Sequence, residues 1–423
     1  MALIAVIGAG YVGLTSAACL AHLGHEVRAT DVCEERVAAL RTGAVPILEE
    51  GLPELVGEGL SSGRLSFTTD NVAAVDDAGF IFLCLPTPEG DDGRADMSFI
   101  EEAARQIGPH LSYESIVINK STVPVGSTKL VERALERPDV QVVSNPEFLR
   151  EGSSVHDFLN PDRIVIGAAD ESTAVKVGGL YVRVSAPLVV TNPATAEAIK
   201  YASNAFLATK LSFINAIAAL CEAVGADVGQ VALGMGLDPR IGADFLRPGP
   251  GWGGSCLPKD TMALVKIAED AGYDFSLLRG VIAVNEQQYE RVVQKAVRMA
   301  GGSLAGKRAA LWGLTFKART DDLRLSPAVE VGRRLAAAGA EVRAYDPTVH
   351  AAVEGIETCQ DPYAACEGAA VLVIGTEWDE LRWLDFQKVG QLLANKAILD
   401  TRNLLSPAEL RRAGFTYEGI GRR

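Results

Sequence analysis

A cysteine set among glycines is the most reactive feature of the chain. Cys256 lies in Gly251-Trp252-Gly253-Gly254-Ser255-Cys256-Leu257-Pro258-Lys259-Asp260. Free cysteines usually pack as small core hydrophobes, but this one has glycine neighbours and no periodic apolar face. Lys259 and a helix expected from about Asp260 to Asp270 both favour a thiolate. Such a thiol adds to an aldehyde. Loss of hydride from the adduct then leaves a thioester for water to cleave.

That chemistry needs a hydride acceptor, and the N-terminus offers a place for one. The apolar run Leu3–Ile7 is followed by Gly8, Gly10 and Gly13 as G-x-G-x-x-G, then by a helical pattern from Leu14 to Leu23. In this setting Gly8 makes the tight turn, Gly10 admits a pyrophosphate to the backbone, and Gly13 lets helix pack on strand. The helix N-terminus presents free N–H groups to the phosphate. Asp31, 18 residues past Gly13, ends a second strand (Glu26–Thr30) and suits the ribose hydroxyls, favouring NAD over NADP. Arg36 lies close enough in sequence to accept a 2′-phosphate instead.

Other residues sit where such sheets bind ligands, at the carboxyl ends of strands. They are Pro86-Thr87-Pro88, Thr122 in Ser121–Gly126, and the carboxylates Glu147 and Glu151 in Ser144–Gly152. Lys200 and Asn204 are four apart and share a helix face. A partly buried Lys there can stabilise a developing alkoxide. The loop Phe316–Arg324 carries Lys317, Arg319 and Arg324; it suits a phosphate group or, equally, an ion-pair cluster with Asp321 and Asp322.

These residues need a scaffold of several cores. At about 150 residues per domain, 423 residues make roughly three. The first ~190 alternate strand and helix, with further strands expected at Phe80–Leu85, Ser115–Lys120 and Gln141–Ser144. Residues 193–224 hold no proline after the first and no glycine, so they predict one helix of roughly 48 Å, capped by Thr191 or Asn192. A second long helix is expected at about Leu277–Ala300. Strand–helix alternation then returns, with strands at Ala309–Leu314, Glu341–Tyr345, Val371–Ile374 and Ala397–Asp400. The expected architecture is α/β: two Rossmann-like doubly wound parallel-sheet domains (1–192 and 301–423) joined by a central helical domain (193–300).

Composition narrows the function classes. Hydrophobic residues are 48% and charged residues 22%, ordinary for a globular chain, and the net charge is −14. That argues against nucleic acid and against anionic lipid as partners. No uninterrupted apolar run reaches the ~18–20 residues of a membrane span, so no membrane partner is expected. Seven cysteines with no C-x-x-C pair and five scattered histidines predict a reduced, cytoplasmic chain without metal.

Taken together, these segments resemble the UDP-glucose/GDP-mannose dehydrogenase family over nearly the whole chain. The resemblance rests on Tyr11-Val12-Gly13-Leu14, Leu85–Pro88, Ser121–Pro124, Asn145–Gly152, Lys200 to Asn204, the Cys256 loop and Lys317 to Arg324. It implies that Cys256 is the nucleophile and that Lys200 and Asn204 stabilise oxygen charge at the sugar C6. Asp260 with Thr122 would position a water, and Glu147 would help hydrolyse the thioester. Gly8, Gly10, Tyr11, Val12, Gly13, Asp31, Arg36, Pro86, Thr87, Thr122, Glu151, Lys259 and Arg324 match NAD-binding positions. Phe148, Leu149, Arg150, Glu151, Phe245, Leu246, Arg247, Gly249, Gly253 and Lys317 match positions around the nucleotide sugar, together with Lys200, Asn204 and Cys256. Arg240 matches an arginine that reaches the substrate of a partner subunit in a homodimer built on the central helix.

The Asp157–Ile164 segment resembles the family's UDP-glucose branch. The implied reaction is a four-electron oxidation of UDP-glucose to UDP-glucuronate with two NAD. GDP-mannose and UDP-N-acetylmannosamine are the alternative substrates. More distant readings are a two-electron hydroxyacid-type dehydrogenase and a non-catalytic nucleotide-sugar-binding protein. Two segments depart from the family: Ala216 follows Asn215 where a Glu is common, and Glu49-Glu50-Gly51-Leu52 replaces E-P-G-L. Neither is expected to touch the chemistry; the first falls at the expected dimer seam.

Overall fold

The computed structural model describes residues 1–88, 90 and 94–422. The chain forms two compact units, Met1–Ser203 with Met262–Ala271, and Asn204–Thr261 with Gly272–Arg423.

The first unit is built on eight strands: β1 (Leu3–Ile7), β2 (Glu26–Thr30), β3 (Leu65–Thr68), β4 (Phe80–Leu83), β5 (Ile116–Asn119), β6 (Gln141–Ser144), β7 (Ile164–Gly167) and β8 (Leu188–Thr191). Their order is β3-β2-β1-β4-β5-β6-β7-β8. Side chains alternate across a strand, so β1 supplies two cores: Ile4 and Val6 pack with Leu14 and Phe82, while Ala5 and Ile7 pack with Ile81 and Ile100. Both faces are covered, which is why these strands read as unbroken apolar runs. Strand order reverses between β1 and β4, and the glycine turn after β1 opens at that switch point.

The expected architecture is present, with one antiparallel junction in this sheet. β7 meets β6 antiparallel at Ser144 and Gly167 and pairs parallel with β8. The link 145–163 stays at the carboxyl edge instead of crossing a sheet face, so the next strand returns in the opposite direction.

The second unit holds β9 (Arg308–Trp312), β10 (Glu341–Tyr345), β11 (Glu357–Thr358), β12 (Ala369–Ile374), β13 (Ala397–Asp400) and β14 (Thr416–Gly419), all parallel, in the order β11-β10-β9-β12-β13-β14. Ala309 and Leu311 face one core, which includes Ile214, Ala218, Val292 and Ala296 from the two long helices; Ala310 and Trp312 face the other. The turn after β9 repeats the first unit's device. Gly8 (φ +97) and Gly313 (φ +88) both take a conformation that favours glycine. Asp31 accepts the Ala9 N–H at 3.2 Å; Asp346 accepts the N–H groups of Leu314 and Thr315 and the Trp378 indole N–H.

The helix Pro193–Val224 has the bounds its sequence predicts, and Asn192 Oδ1 caps it by accepting the Thr195 N–H at 2.9 Å. The division between the two units passes inside it. By length and composition only, this helix is long and apolar enough to cross a membrane. That amends the reading of no span-length segment, because scattered polar residues interrupt a run without lowering the average enough. Those polar residues, Glu197, Lys200, Asn204, Ser212 and Asn215, are buried and hydrogen-bonded to protein partners.

Candidate active site

The first unit presents a dinucleotide cradle. A Cβ on Gly13 would lie 1.8 Å from the Gly8 carbonyl, and one on Gly8 would lie 2.6 Å from the Cys84 carbonyl, whereas one on Gly10 meets nothing within 4 Å. Two glycines therefore serve packing and the third keeps an approach to the backbone open. Asp31 closes β2 with Oδ2 on the Arg36 guanidinium at 2.8 Å. Thr87 is buried and donates to the Thr122 carbonyl at 2.8 Å, joining the segments after β4 and β5; Pro86 beside it is exposed. Val12 and Glu151 are half-buried. The open Gly10 and the acid at the end of β2 fit NAD.

Glu49 is a residue the sequence reading set apart from the chemistry. It is buried, bonds the Tyr11 hydroxyl, and accepts the N–H groups of Gly152 and Ser154 at 2.8 Å each. Burial pushes its carboxyl up, against those hydrogen bonds. It ties the first residue of the helix Tyr11–His22 to the loop carrying Glu147 and Glu151. A lone Glu in an irregular loop gave no signal beyond the departure at Glu50.

Glu147 and Lys200 form a buried ion pair, Nζ to Oε1 at 2.8 Å. The second carboxylate oxygen accepts the Leu149 N–H at 2.6 Å. Burial alone would raise the Glu147 carboxyl. Lys200, the Leu149 N–H and the charge of Lys120 outweigh that and hold it below the usual range. The Phe148 ring stacks under the Arg163 guanidinium at 3.6 Å and lies 5.5 Å from Lys200 Nζ. Arg150 is clamped by Asp157 through its backbone N–H, Nε and Nη2.

In the second unit the loop before Cys256 is pinned throughout. Gly249 N–H donates to Asn215 Oδ1 at 2.9 Å, and its carbonyl accepts Gln288 Nε2. The Trp252 backbone is held by Asn285 and Tyr289, and its indole donates to Ser212 at 2.8 Å. A Cβ on Gly253 would lie 1.9 Å from the Leu325 carbonyl. The helix begins at Leu257, three residues earlier than expected, with Pro258 in its first turn. Cys256 thus immediately precedes it, at its positive end, and the Cys256 carbonyl accepts the Asp260 N–H. Cys256 is half-buried, with its Sγ 3.6 Å from the Ser255 hydroxyl.

Asp260 is fully buried. Asn204 Nδ2 donates to its Oδ2 at 2.5 Å, and Lys259 Nζ stands 2.9 Å from Oδ1 as an ion pair without hydrogen-bond alignment.

Other expected residues are placed less directly for chemistry. The Leu246 side chain belongs to the core, leaving only its main chain for a ligand. Phe245 takes φ +61. Arg247 is exposed, as is Arg240, which pairs with Asp238. Arg324 bonds Asp322 through its backbone N–H, Nε and Nη2, one pair of the cluster considered for that loop. Lys317 Nζ lies 5.6 Å from the Phe316 ring. Arg402, unremarked in the sequence, braces the loop by donating to the Phe316 and Gly375 carbonyls. Among the described residues no group of three His, Cys, Asp or Glu side chains could hold a metal ion.

Residues 2–185, 194–287 and 310–407 match, in turn, the NAD binding, central and UDP binding domains of the UDP-glucose/GDP-mannose dehydrogenase family. The chain belongs to that family. It is 46% identical over 434 residues to a UDP-glucose 6-dehydrogenase of Rhizobium meliloti (strain 1021), covering 99% of each chain. To one of Bacillus subtilis (strain 168) it is 45% identical, covering 99% of this chain and 93% of that one. The solved UDP-glucose dehydrogenase of Pyrobaculum islandicum superposes with a TM-score of 0.93 at 39% identity, over 100% of this chain and 98% of that one. As a member of this dehydrogenase family the chain is an NAD-dependent oxidoreductase acting on a nucleotide sugar.

Proposed function

We propose that the substrate is UDP-glucose and the product UDP-glucuronate. The observation that carries this is full-length identity of 44–46% to three UDP-glucose 6-dehydrogenases, in a chain that keeps the Cys256 loop, Lys200, Asn204 and Asp260. Bound NAD supplies the hydride acceptor at both oxidation stages. Lys200 and Asn204 stabilise negative charge on the C6 oxygen. Asp260, with Thr122, positions a water that receives the hydroxyl proton. Cys256 Sγ adds to the C6 aldehyde, and loss of hydride from the thiohemiacetal leaves a thioester. Glu147 then takes a proton from the water that attacks the thioester; the C–S bond breaks and the thiolate returns. In its resting state Glu147 already bonds Lys200, so charge moving onto the substrate oxygen competes for the same ammonium.

The working form we propose is a cytoplasmic homodimer built on the long helix. Its exposed Phe206, Phe213 and Leu220 are spaced seven apart and form one apolar stripe, the pattern of a helix seam awaiting a partner. The test is a stoichiometric assay. Two NADH and one uronate should form per UDP-glucose, with GDP-mannose and UDP-N-acetylmannosamine turned over far more slowly. One NADH per sugar would favour a two-electron dehydrogenase. UDP-sugar binding with no NADH would favour a non-catalytic protein.

A further inference from the structure

Lys120 is a buried cation that the mechanism above does not use. It follows β5 directly and is 5% exposed. Its Nζ donates to Asn145 Oδ1 at 3.1 Å and lies 5.8 and 5.7 Å from the ring centroids of Phe158 and Tyr181. Asn145 is fully engaged. Its Oδ1 also accepts the Tyr181 hydroxyl at 2.7 Å, its Nδ2 donates to the Val165 carbonyl, and its backbone N–H donates to the Asn119 carbonyl. Two residues on stands Glu147. The charged and titratable groups acting on Lys120 are Cys84 after β4, Glu147 after β6 and Lys200 on the long helix.

Two buried lysines therefore act on one carboxylate, Lys200 in direct contact and Lys120 through its charge from beside Asn145. A buried anion with one counter-ion needs only one, and a second buried cation is costly to keep. Burial pushes the Lys120 ammonium down to about 8, so folding works against its charge. A side chain retained only to staple β5 to β6 would carry no such penalty, since a neutral donor could bond Asn145. Sites that tolerate such a cost are often functional.

We propose that Lys120 is a positioning residue: the standing counter-ion that keeps Glu147 ionised and in place when Lys200 is drawn to the substrate oxygen. The proposal rests on the assignment of Glu147 to thioester hydrolysis. In that step the water oxygen bonds the acyl carbon, the water proton goes to Glu147, and the carbon–sulfur bond breaks to return the thiolate. Without Lys120, Glu147 loses its base form when Lys200 is engaged. The oxidations proceed, and the acyl group stays on Cys256.

The test compares Lys120→Met, Lys120→Gln and Tyr181→Phe in the full chain with UDP-glucose and NAD. The glutamine keeps a donor toward Asn145 without the charge. Tyr181→Phe removes the other bond to the same Asn145 oxygen and leaves every charge in place. Both lysine variants should accumulate an acyl adduct on Cys256, read as added mass on acid-quenched protein. Their steady-state rate should fall about tenfold or more, and the acid limb of kcat should move up by about one pH unit. Tyr181→Phe should show none of these changes. If Lys120→Met does not fold, Lys120→Gln decides. An unmoved acid limb and no adduct in Lys120→Gln overturns the proposal, as does an equal effect of Tyr181→Phe. A wild-type yield of one NADH per sugar would instead bring down the parent assignment, and this one with it.

Discussion

Lys200 Nζ and Glu147 Oε1 meet at 2.8 Å in the protein interior, joining residues 53 positions apart. A pair so buried is costly to break from one side, because the remaining charge stays desolvated. Lys200→Met should therefore lower stability by about 3 kcal/mol in denaturant unfolding, as well as abolish turnover. A variant as stable as wild type would show that the pair bears no stability.

The same pair predicts a pH dependence. The Glu147 carboxyl is held below its usual range, so its contribution is complete above pH 4.5 and is lost as pH falls through the lowered folded-state value. The stability difference between wild type and Glu147→Gln should be constant near neutrality and shrink in acid. Thermal denaturation from pH 7 to pH 3 measures it, and a difference that grows on acidification would contradict the assignment.

Cys256 is the one residue whose loss should stop acid formation and spare everything else. Cys256→Ser should reduce UDP-glucuronate production by roughly 10³-fold or more, while NAD affinity by fluorescence titration stays at the wild-type value. Acid formation at the normal rate would refute covalent catalysis.

The glycine turn separates two roles that one motif conceals. Gly13→Ala drives a methyl to within 1.8 Å of the Gly8 carbonyl and should cost about 3 kcal/mol or more. Gly10→Ala has open space and should leave the melting temperature unchanged while weakening NAD binding at least about tenfold. Paired thermal shift and NAD titration distinguish them; equal stability loss in both would show that Gly10 is a packing residue.

Phe213→Glu should convert the species seen by light scattering from dimer to monomer, since it places a charge in the middle of the apolar stripe on the long helix. A monomeric wild type, or a variant that remains dimeric, would move the interface elsewhere.

Much of this molecule was legible before its structure. The long helix announced both ends, through Pro193 and Gly225, because helix starts and stops have local chemistry. The glycine turn and Asp31 were legible because their spacing follows from the ligand they hold. β3, β7, β8, β11 and β14 were not expected: β8 is an exposed edge strand without clean alternation, and β11 has two residues. The early start of the Cys256 helix was passed over although Pro258 marks a first helical turn. The bonds that Glu49, Lys120 and Asn145 make were not legible even where a motif contained the residue, since their partners lie 20 to 105 positions away and are assembled only by the sheet. Leu246 matched a binding position, yet its side chain belongs to the core.

Asp346 has a further bearing on how this chain keeps its two ligand classes apart. It stands at the end of β10, as Asp31 stands at the end of β2, but its carboxylate is already engaged by two backbone amides and an indole. Those donors share Oδ2, and the Thr348 N–H and hydroxyl take Oδ1, so a ribose arriving there would find both oxygens engaged, while Asp31, among the described residues, accepts only from the Ala9 and Cys33 N–H groups and Arg36. Two architectures of one kind therefore coexist in a single polypeptide, with the acid that closes the second strand spent on the fold in one and left nearer to hand in the other.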